Sequence, residues 1–206
     1  MTEEKLSKGR TTLEVVKKAL AGGVDVVQLR DKNLSLRERY QLGKKIRKFT
    51  LKKDVSFIVN DRVDLALALG ADGVHLGQND IPLKEAKKLL APDKIIGISA
   101  NTVRDAKTAE EGGADYLGVG AIFPTESKKG KKSNAGIGLK GLKKIRNKTN
   151  LPLIAVGGLK PENYKEVLEA GADTISVISA LTMAEDIAKV AKKFRKFIIK
   201  TKEEEL

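Results

Sequence analysis

The tripeptide Gly-Ala-Asp occurs three times in the chain, at 70–72, 113–115 and 171–173, and a short apolar run directly follows each copy. An amphipathic segment typical of a helix precedes each copy. A chain that repeats one helix–strand unit pairs its strands in parallel, because each helix returns the chain to the same end of the sheet. The repeat therefore predicts an α/β fold in which helices cover a parallel sheet.

The same reading of the whole chain predicts seven strands and eight helices in one domain, residues 1–206. The strands are expected at 24–29, 57–59, 73–76, 95–98, 116–119, 153–156 and 174–178, and the helices at 11–21, 36–52, 64–69, 86–90, 103–111, 139–146, 162–169 and 184–196. A doubly wound sheet usually has a glycine-rich first strand-to-helix turn, which this sequence lacks. The regular repetition favours a (βα)8 TIM barrel.

The start of the chain does not fit a complete barrel. A (βα)8 barrel begins with a strand, but residues 1–10, MTEEKLSKGR, contain no apolar run. We therefore expect the first strand to be absent, through a misplaced start or a truncation. Seven parallel strands would leave two unpaired edges and a gap in the barrel wall. We expect an open gap, with the tail segment 197–199 or another chain as the alternative occupant.

The net charge of +13 raises the question of nucleic-acid binding. Most lysines occur in pairs on predicted helices and alternate with glutamates, as on solvated helix faces. Five Phe and three Tyr are scattered along the chain, so no aromatic platform for stacking bases is evident. The sequence also lacks a membrane-length apolar run and a signal-peptide pattern. These features favour a cytoplasmic protein without nucleic-acid or membrane partners, and they leave the oligomeric state open.

Two aspartates follow neighbouring predicted strands. Asp61 follows the strand at 57–59, and Asp80 follows the strand at 73–76. Because the carboxyl ends of parallel strands meet at one edge, the two carboxylates should converge. Two carboxylates that are completed by water and substrate phosphate suit Mg²⁺. The alternative is that each aspartate is the N-cap of the helix that follows it.

Cationic and glycine-rich positions at this edge indicate phosphate binding. Gln28, Arg30 and Lys32 alternate, so they share one face if the strand continues through them. Cations beside the carboxylates suit a metal–polyphosphate complex, and a surface salt-bridge cluster is the alternative. The pair at 157–158, Gly-Gly, follows the sixth strand, where such barrels commonly bind phosphate. Two anion sites imply two phosphorylated small-molecule substrates.

The sequence contains no nucleophile–base pair, metal-triad spacing or Walker loop. His75, the only histidine, is interpreted as a hydrogen-bonded rim residue rather than a general base. This absence fits a reaction in which the substrate supplies the nucleophile and the protein assists the departure of a diphosphate.

Seven segments in chain order resemble thiamine-phosphate synthases. They are QLRDK (28–32), VNDRVDLAL (59–67), GADGVHLGQNDIP (70–82), GIS (97–99), DYLGVGAIFPTESK (115–128), AVGGL (155–159) and VISAL (177–181). The resemblance implies a (βα)8 barrel that joins 4-amino-2-methyl-5-(diphosphooxymethyl)pyrimidine to 4-methyl-5-(2-phosphooxyethyl)thiazole. The products would be thiamine phosphate and pyrophosphate, formed by Mg²⁺-assisted dissociative substitution.

The resemblance also implies roles for individual residues. The pyrimidine diphosphate site would comprise Gln28, Leu29, Arg30, Asp31, Lys32, Asn60, Ser99 and Lys128, with Arg30, Lys32, Ser99 and Lys128 as catalytic residues. The thiazole phosphate site would comprise Thr125, Glu126, Ser127, Gly158, Ile178 and Ser179, and Mg²⁺ would be held by Asp61 and Asp80. The additional lysines at 129, 131 and 132 are interpreted as part of a solvated loop, with a basic lid as the alternative.

A thiazole tautomerase on the same barrel is the main alternative enzyme. It would keep the thiazole phosphate site but would not need diphosphate-binding residues. QLRDK (28–32), Asn60-Asp61 and GQND (77–80) are all present, which favours the transferase.

Overall fold

The computed structural model describes residues 1–125 and 136–204. In this part of the chain the strands are β1 (Val26–Leu29), β2 (Ser56–Asn60), β3 (Gly73–Leu76), β4 (Ile95–Ser99), β5 (Tyr116–Val119), β6 (Leu153–Val156) and β7 (Thr174–Ser176). The helices are α1 (Thr12–Ala21), α2 (Leu36–Lys53), α3 (Val63–Ala68), α4 (Leu83–Leu89), α5 (Val103–Glu111), α6 (Gly138–Arg146), α7 (Tyr164–Glu169), α8 (Ser179–Thr182) and α9 (Ile187–Glu204), preceded by a 3-10 turn, Glu4–Leu6.

The seven described strands form one parallel sheet in the order β1 to β7. This order confirms the predicted repeat and brings the carboxyl ends of all seven strands to one rim. The helices pack on the outer face, where Phe57 and Leu117 of the strands are fully buried together with Ile46 and Leu142 of the helices. Among the described residues, none of the helices combines the length and apolar character needed to cross a bilayer.

Several predicted boundaries were wrong. β7 ends at Ser176, before Ile178, which precedes α8 with φ −117° and ψ −82° and so leaves the strand conformation. The short helix α8 was not predicted. The segment 197–199 belongs to α9, which continues to Glu204, so the tail does not supply a strand.

The repeated Gly-Ala-Asp motif fixes the register between neighbouring strands. In each copy the aspartate exchanges two hydrogen bonds with one residue of the preceding strand. The aspartate N–H donates to that residue's carbonyl oxygen at 2.9 Å, and the carboxylate accepts that residue's N–H at 2.7 Å. The pairs are Asp72 with Phe57, Asp115 with Ile96 and Asp173 with Leu153. The motif therefore lies at the amino ends of the strands and serves the fold rather than the rim.

The substitution Asp72→Asn is expected to lower the free energy of unfolding by about 1–3 kcal/mol, because the carboxylate also accepts two hydrogen bonds from Arg47. Those bonds measure 2.7 and 2.8 Å. The matched control is Asp115→Asn, since an asparagine oxygen still accepts the N–H of Ile96. Urea unfolding of both variants at neutral pH measures the difference, and equal losses would contradict the role given to Arg47.

The cost of Asp72→Asn should also depend on pH. Burial alone would raise the pKa of Asp72, but the hydrogen bonds from Arg47 and from the N–H of Phe57 hold it below its ordinary value. A carboxylate with a depressed folded-state pKa stabilises the protein above its unfolded-state pKa, and this contribution is lost as the pH falls through the folded-state value. The difference between wild type and Asp72→Asn should therefore shrink below about pH 4.

The barrel is not closed by the described strands. Among the described residues, β1 pairs only with β2 and β7 only with β6, which confirms the incomplete barrel with seven strands. At the rim, however, the gap is bridged: the Met1 amino group donates to the carbonyl of Val177 at 3.3 Å, and the Thr2 N–H donates to the carbonyl of Gln28 at 3.0 Å. Residues 1–2 thus cross the gap at the rim, and the gap is open only below this crossing, toward the amino ends of the strands.

Below the crossing, a cavity of about 320 Å³ continues into the barrel interior. Its lower wall is mostly apolar and includes Val26, Ile154 and Ile175, and side chains of α9 such as Phe194 and Ile198 form its outer side. Val26 keeps 50% of its surface exposed, although it lies in a strand of the sheet. The gap between β1 and β7 thus leaves apolar surface of the barrel exposed.

Candidate active site

Asp61 and Asp80 lie side by side at the rim, as the sequence predicts. Asp61 follows β2 with a left-handed backbone (φ 67°), and its N–H donates to the carbonyl of His75 at 2.8 Å. Asp80 is held by the loop after β3, where its Oδ2 accepts the N–H of Gly77 at 2.6 Å. Burial raises the pKa of Asp80, and the nearby Asp61 carboxylate raises it further. Two carboxylates forced together in this way favour a cation between them.

The N-cap interpretation of the two aspartates was wrong. The N-cap residues of α3 and α4 are Arg62 and Pro82, and neither Asp61 nor Asp80 caps a helix. Both carboxylates are therefore available at the rim rather than committed to helix ends.

Lys32 reaches this pair directly, with its Nζ 2.7 Å from Oδ2 of Asp61. Arg30 does not: its Nη1 lies 2.7 Å from Oε2 of Glu3, and both side chains are largely buried. Glu3 also accepts a hydrogen bond from Asn33 at 2.8 Å. Both cations therefore form ion pairs, Arg30 with Glu3 and Lys32 with Asp61, and of the two it is Lys32 that stands beside the carboxylate pair.

The alternation along 28–32 separates the residues of this segment into two faces. Leu29 is 1% exposed in the hydrophobic core. Asp31 is equally buried, and its Oδ2 accepts the hydroxyl of Thr12 at 2.7 Å. The side chains of Leu29 and Asp31 thus face the helices and the N-terminal segment, away from the barrel interior where Gln28 lines the cavity.

Asn60 and Ser99 lie at the ends of β2 and β4. Asn60 is buried, and the backbone carbonyl of Ser99 accepts a hydrogen bond from Gln78 at 2.6 Å. The hydroxyl of Ser99 lies 2.9 Å from Nε2 of His75, whose Nδ1 lies 3.0 Å from the hydroxyl of Tyr116. His75 is therefore a hydrogen-bonded residue, as expected from the sequence.

Tyr116 was not among the predicted site residues. It opens β5 and points into the barrel, opposite Gly97 in the strand register. The available signal was the glycine within β4, because a glycine inside a strand often marks the close approach of another group.

A second cleft lies across the rim, between β6 and β7. It brings together four of the residues predicted for the thiazole phosphate: Thr125, Gly158, Ile178 and Ser179. Arg30 also lines this cleft, although the sequence assigned it to the diphosphate site. A Cβ at Gly158 would lie 2.6 Å from Cβ of Phe123, so the absence of a side chain at this position is already required by packing.

Of the loop residues predicted to contribute to the two sites, Thr125 belongs to the described part of the chain. Glu126, Ser127 and Lys128, together with the lysines at 129, 131 and 132, lie outside the described residues.

The described residues contain no group of three or more His, Asp or Glu side chains that could hold a metal ion. The only predicted metal ligands are thus the two carboxylates of Asp61 and Asp80. Such a pair suits Mg²⁺, which usually keeps several waters and completes its shell with substrate phosphate.

Fold and site together define a (βα)8-type barrel enzyme with its polar residues at the carboxyl ends of the strands. The sequence model of the family described as thiamine monophosphate synthase (TMP-TENI) matches residues 1–181. The chain belongs to the thiamine-phosphate synthase family, whose members are transferases.

Individual relatives agree with this family. The thiamine-phosphate synthase of Moorella thermoacetica is 50% identical over 200 residues, which cover 96% of this chain and 93% of the relative. That of Natronomonas pharaonis is 50% identical over 180 residues, covering 87% and 84%. Among solved structures, the thiamine phosphate pyrophosphorylase from Pyrococcus furiosus has a TM-score of 0.86 at 43% identity and covers 96% of this chain and 93% of its own.

Proposed function

We propose that this thiamine-phosphate synthase joins the pyrimidinylmethyl diphosphate to the thiazole phosphate and releases pyrophosphate, with residues of the two rim sites in the roles described below. The observation that carries the proposal is the convergence of Asp61, Asp80 and Lys32 on one side of the rim. A second cleft, with Ser179 and Gly158, lies on the other side. Two charged substrates that must meet head to head need two such sites around one cavity.

Asp61 and Asp80 would hold Mg²⁺. Bound there, the ion would neutralise charge on the departing diphosphate. The fit rests on the donor set: two adjacent carboxylates, one with a raised pKa, gain from a cation that removes their mutual repulsion.

The cationic side chains are proposed to neutralise the negative charge of the diphosphate that Mg²⁺ does not neutralise. Lys32 already lies at the carboxylate pair, and Lys128 is proposed to act with it. As the bond between the methylene carbon and the diphosphate oxygen breaks, negative charge grows on the leaving oxygens. Preorganised cations stabilise that charge more than they stabilise the bound substrate. The nitrogen lone pair of the thiazole then forms the new C–N bond.

The cavity inside the barrel offers a place for the pyrimidine ring. Its walls are mostly apolar, and Oε1 of Gln28 is buried without a hydrogen-bond partner among the described residues. A buried acceptor of this kind costs free energy until a donor pairs with it. The amino group on the pyrimidine is a donor of the right type.

The thiazole phosphate is proposed to bind in the second cleft. Thr125, Gly158, Ile178 and Ser179 line it, and their hydroxyl and backbone N–H groups are the proposed phosphate donors, with Arg30 as a cation. Glu126 and Ser127 are proposed to complete the site. Because Arg30 is held by Glu3 next to this cleft, its charge would act on both substrates rather than on the diphosphate alone.

The direct test supplies both phosphorylated substrates to the purified chain with and without Mg²⁺ and measures thiamine phosphate and pyrophosphate. We expect both products in equal amounts, and only when Mg²⁺ is present. Isomerised thiazole phosphate without consumption of the diphosphate would indicate a tautomerase, and no turnover of either substrate would refute the proposal.

Matched variants test the two-site arrangement. Lys32→Ala should weaken binding of the pyrimidine diphosphate by about 10- to 100-fold, as expected for the loss of a charge-assisted hydrogen bond. Ser179→Ala should weaken only the thiazole phosphate. Gly158→Val is unsuitable, because its side chain would collide with Phe123 whether or not phosphate binds there. Equal effects of both variants on both ligands would contradict the arrangement.

A further inference from the structure

A chain of hydrogen-bonding side chains runs from the barrel interior to the rim. The hydroxyl of Tyr116 lies 3.0 Å from Nδ1 of His75, and Nε2 of His75 lies 2.9 Å from the hydroxyl of Ser99. The three residues come from three neighbouring strands, β5, β3 and β4. The interior end of the chain is buried, and its outer end is a residue proposed to contact the substrate diphosphate.

The strand register places glycines opposite the His75 and Tyr116 rings, which gives the two rings room to meet. His75 and Tyr116 both pair with Gly97, one on each side, so the two rings meet over a residue without a side chain. Their centroids are 5.4 Å apart and the ring planes are inclined by 30°. A Cβ at Gly97 would collide with the Tyr116 ring, and a Cβ at Gly118 would lie 2.6 Å from Cε1 of His75.

The contacts of Tyr116 determine the direction of the hydrogen bonds. Burial raises the pKa of the Tyr116 hydroxyl, which therefore stays protonated, and a hydrogen bond from Gln28 opposes that shift. Because Oε1 of Gln28 has no partner among the described residues, its amide N–H is the donor to the Tyr116 oxygen. The proton of Tyr116 is then directed to Nδ1 of His75.

The direction of this hydrogen bond determines the direction of the next one, between His75 and Ser99. A neutral imidazole that accepts at Nδ1 carries its proton on Nε2, and Nε2–H donates to Oγ of Ser99. Oγ of Ser99 then accepts the hydrogen bond from His75, and the Ser99 hydroxyl proton is free to be donated to another partner. In the opposite tautomer, Ser99 would donate to Nε2 and would have no proton to offer a phosphate oxygen, which is only an acceptor.

We propose that His75 and Tyr116 are positioning residues that hold the Ser99 hydroxyl as a hydrogen-bond donor toward the substrate diphosphate. The proposal rests on the proposed function for the place of Ser99 in the site. It assigns a role to the only histidine of the chain without making it a general base. It also gives a reason for the glycines at 97 and 118, since a Cβ at either position would collide with one of the two rings.

The tautomer of His75 can be measured directly, because the chain has one histidine. Protein labelled with ¹⁵N-histidine should give one imidazole in a ¹H–¹⁵N long-range correlation spectrum at neutral pH, in the Nε2–H tautomer. In Tyr116→Phe, the donor to Nδ1 is lost and we expect a mixture of tautomers. An Nδ1–H tautomer in wild type, or an unchanged pure Nε2–H tautomer in Tyr116→Phe, would overturn the proposal.

Kinetics test the consequence for Ser99. Tyr116→Phe should lower kcat by about 3- to 10-fold, with KM for the pyrimidine diphosphate changed less than about 2-fold. In a Ser99→Ala background, Tyr116→Phe should cause little further loss, because its effect passes through the serine. The control is Tyr164→Phe, which removes the hydroxyl of a buried tyrosine on α7, away from this chain of contacts.

An equal loss from Tyr116→Phe with and without Ser99 would show a purely structural role and refute the proposal. The spectrum does not depend on turnover. If wild type forms no thiamine phosphate, the proposed function fails, and the tautomer still decides whether His75 is held as described.

Discussion

The substitution Asp80→Asn is expected to reduce turnover by about 100-fold or more at limiting Mg²⁺, since it removes one of two carboxylates that act on charge at the leaving group. Asparagine keeps the oxygen that accepts the N–H of Gly77, so the loop after β3 should keep its shape. Asp61→Asn should have a similar effect, and asparagine tolerates the left-handed backbone at this position (φ 67°) better than alanine does. Steady-state rates measured over a Mg²⁺ titration show the loss.

The control for this experiment is Asp64→Asn. Asp64 lies three residues from Asp61 on the same stretch, is 58% exposed and pairs with Arg62. Its loss should leave turnover within about 2-fold of wild type, since an exposed ion pair contributes little. Near wild-type turnover of Asp61→Asn and Asp80→Asn at limiting Mg²⁺ would refute the role proposed for the carboxylate pair.

The sequence predicts the sheet and the carboxylate pair because both depend on local patterns. Strands buried on two faces appear as short apolar runs, and parallel pairing follows from the helices between them. Once the strands are parallel, residues just after them must meet at one rim. The proximity of Asp61 and Asp80 therefore follows from the parallel pairing of their strands, although their separation along the sequence does not indicate it.

The features that the sequence did not predict depend on contacts between distant residues. Arg30 pairs with Glu3, 27 residues away, and no periodicity marks that pair. The contact of His75 with Tyr116 requires the register of three strands, which short apolar runs do not fix to one residue. The bridge that residues 1–2 form across the gap was missed for the same reason: a polar segment without a pattern gives no indication of where it docks.

Adding a strand ahead of Met1 is expected to stabilise the protein by about 2 kcal/mol or more, which raises Tm by about 4–8 °C for a domain of this size. Met1 and Thr2 already bond to the edges on both sides of the gap, at Val177 and Gln28. A chain extended backwards from Met1 would run down the gap between β1 and β7. It would meet unpaired backbone groups on each side and the apolar walls of the cavity.

The extension should stabilise the protein for a second reason, because it removes the buried amino terminus. Burial, with the nearby charge of Arg30, lowers the pKa of the Met1 amino group to about 6. A group with a lowered folded-state pKa destabilises the fold when the pH drops below its unfolded-state value of about 8. An extension replaces this ammonium with an uncharged amide. Its benefit should therefore be larger at pH 6 than at pH 8.

Three extensions of about six residues separate the contributions, in line with the strand length of this sheet. The first is an apolar, β-branched strand, the second is a Gly/Ser segment of equal length, and the third repeats the apolar strand with two prolines that cannot donate to the neighbouring edges. The Gly/Ser segment should recover only the effect of the removed ammonium, and the proline version should fall between the other two. The apolar strand should raise turnover as well as Tm, because Met1 and Arg30 line the second cleft and would be held more firmly. Equal Tm values for all three extensions would refute the docking of a strand between β1 and β7.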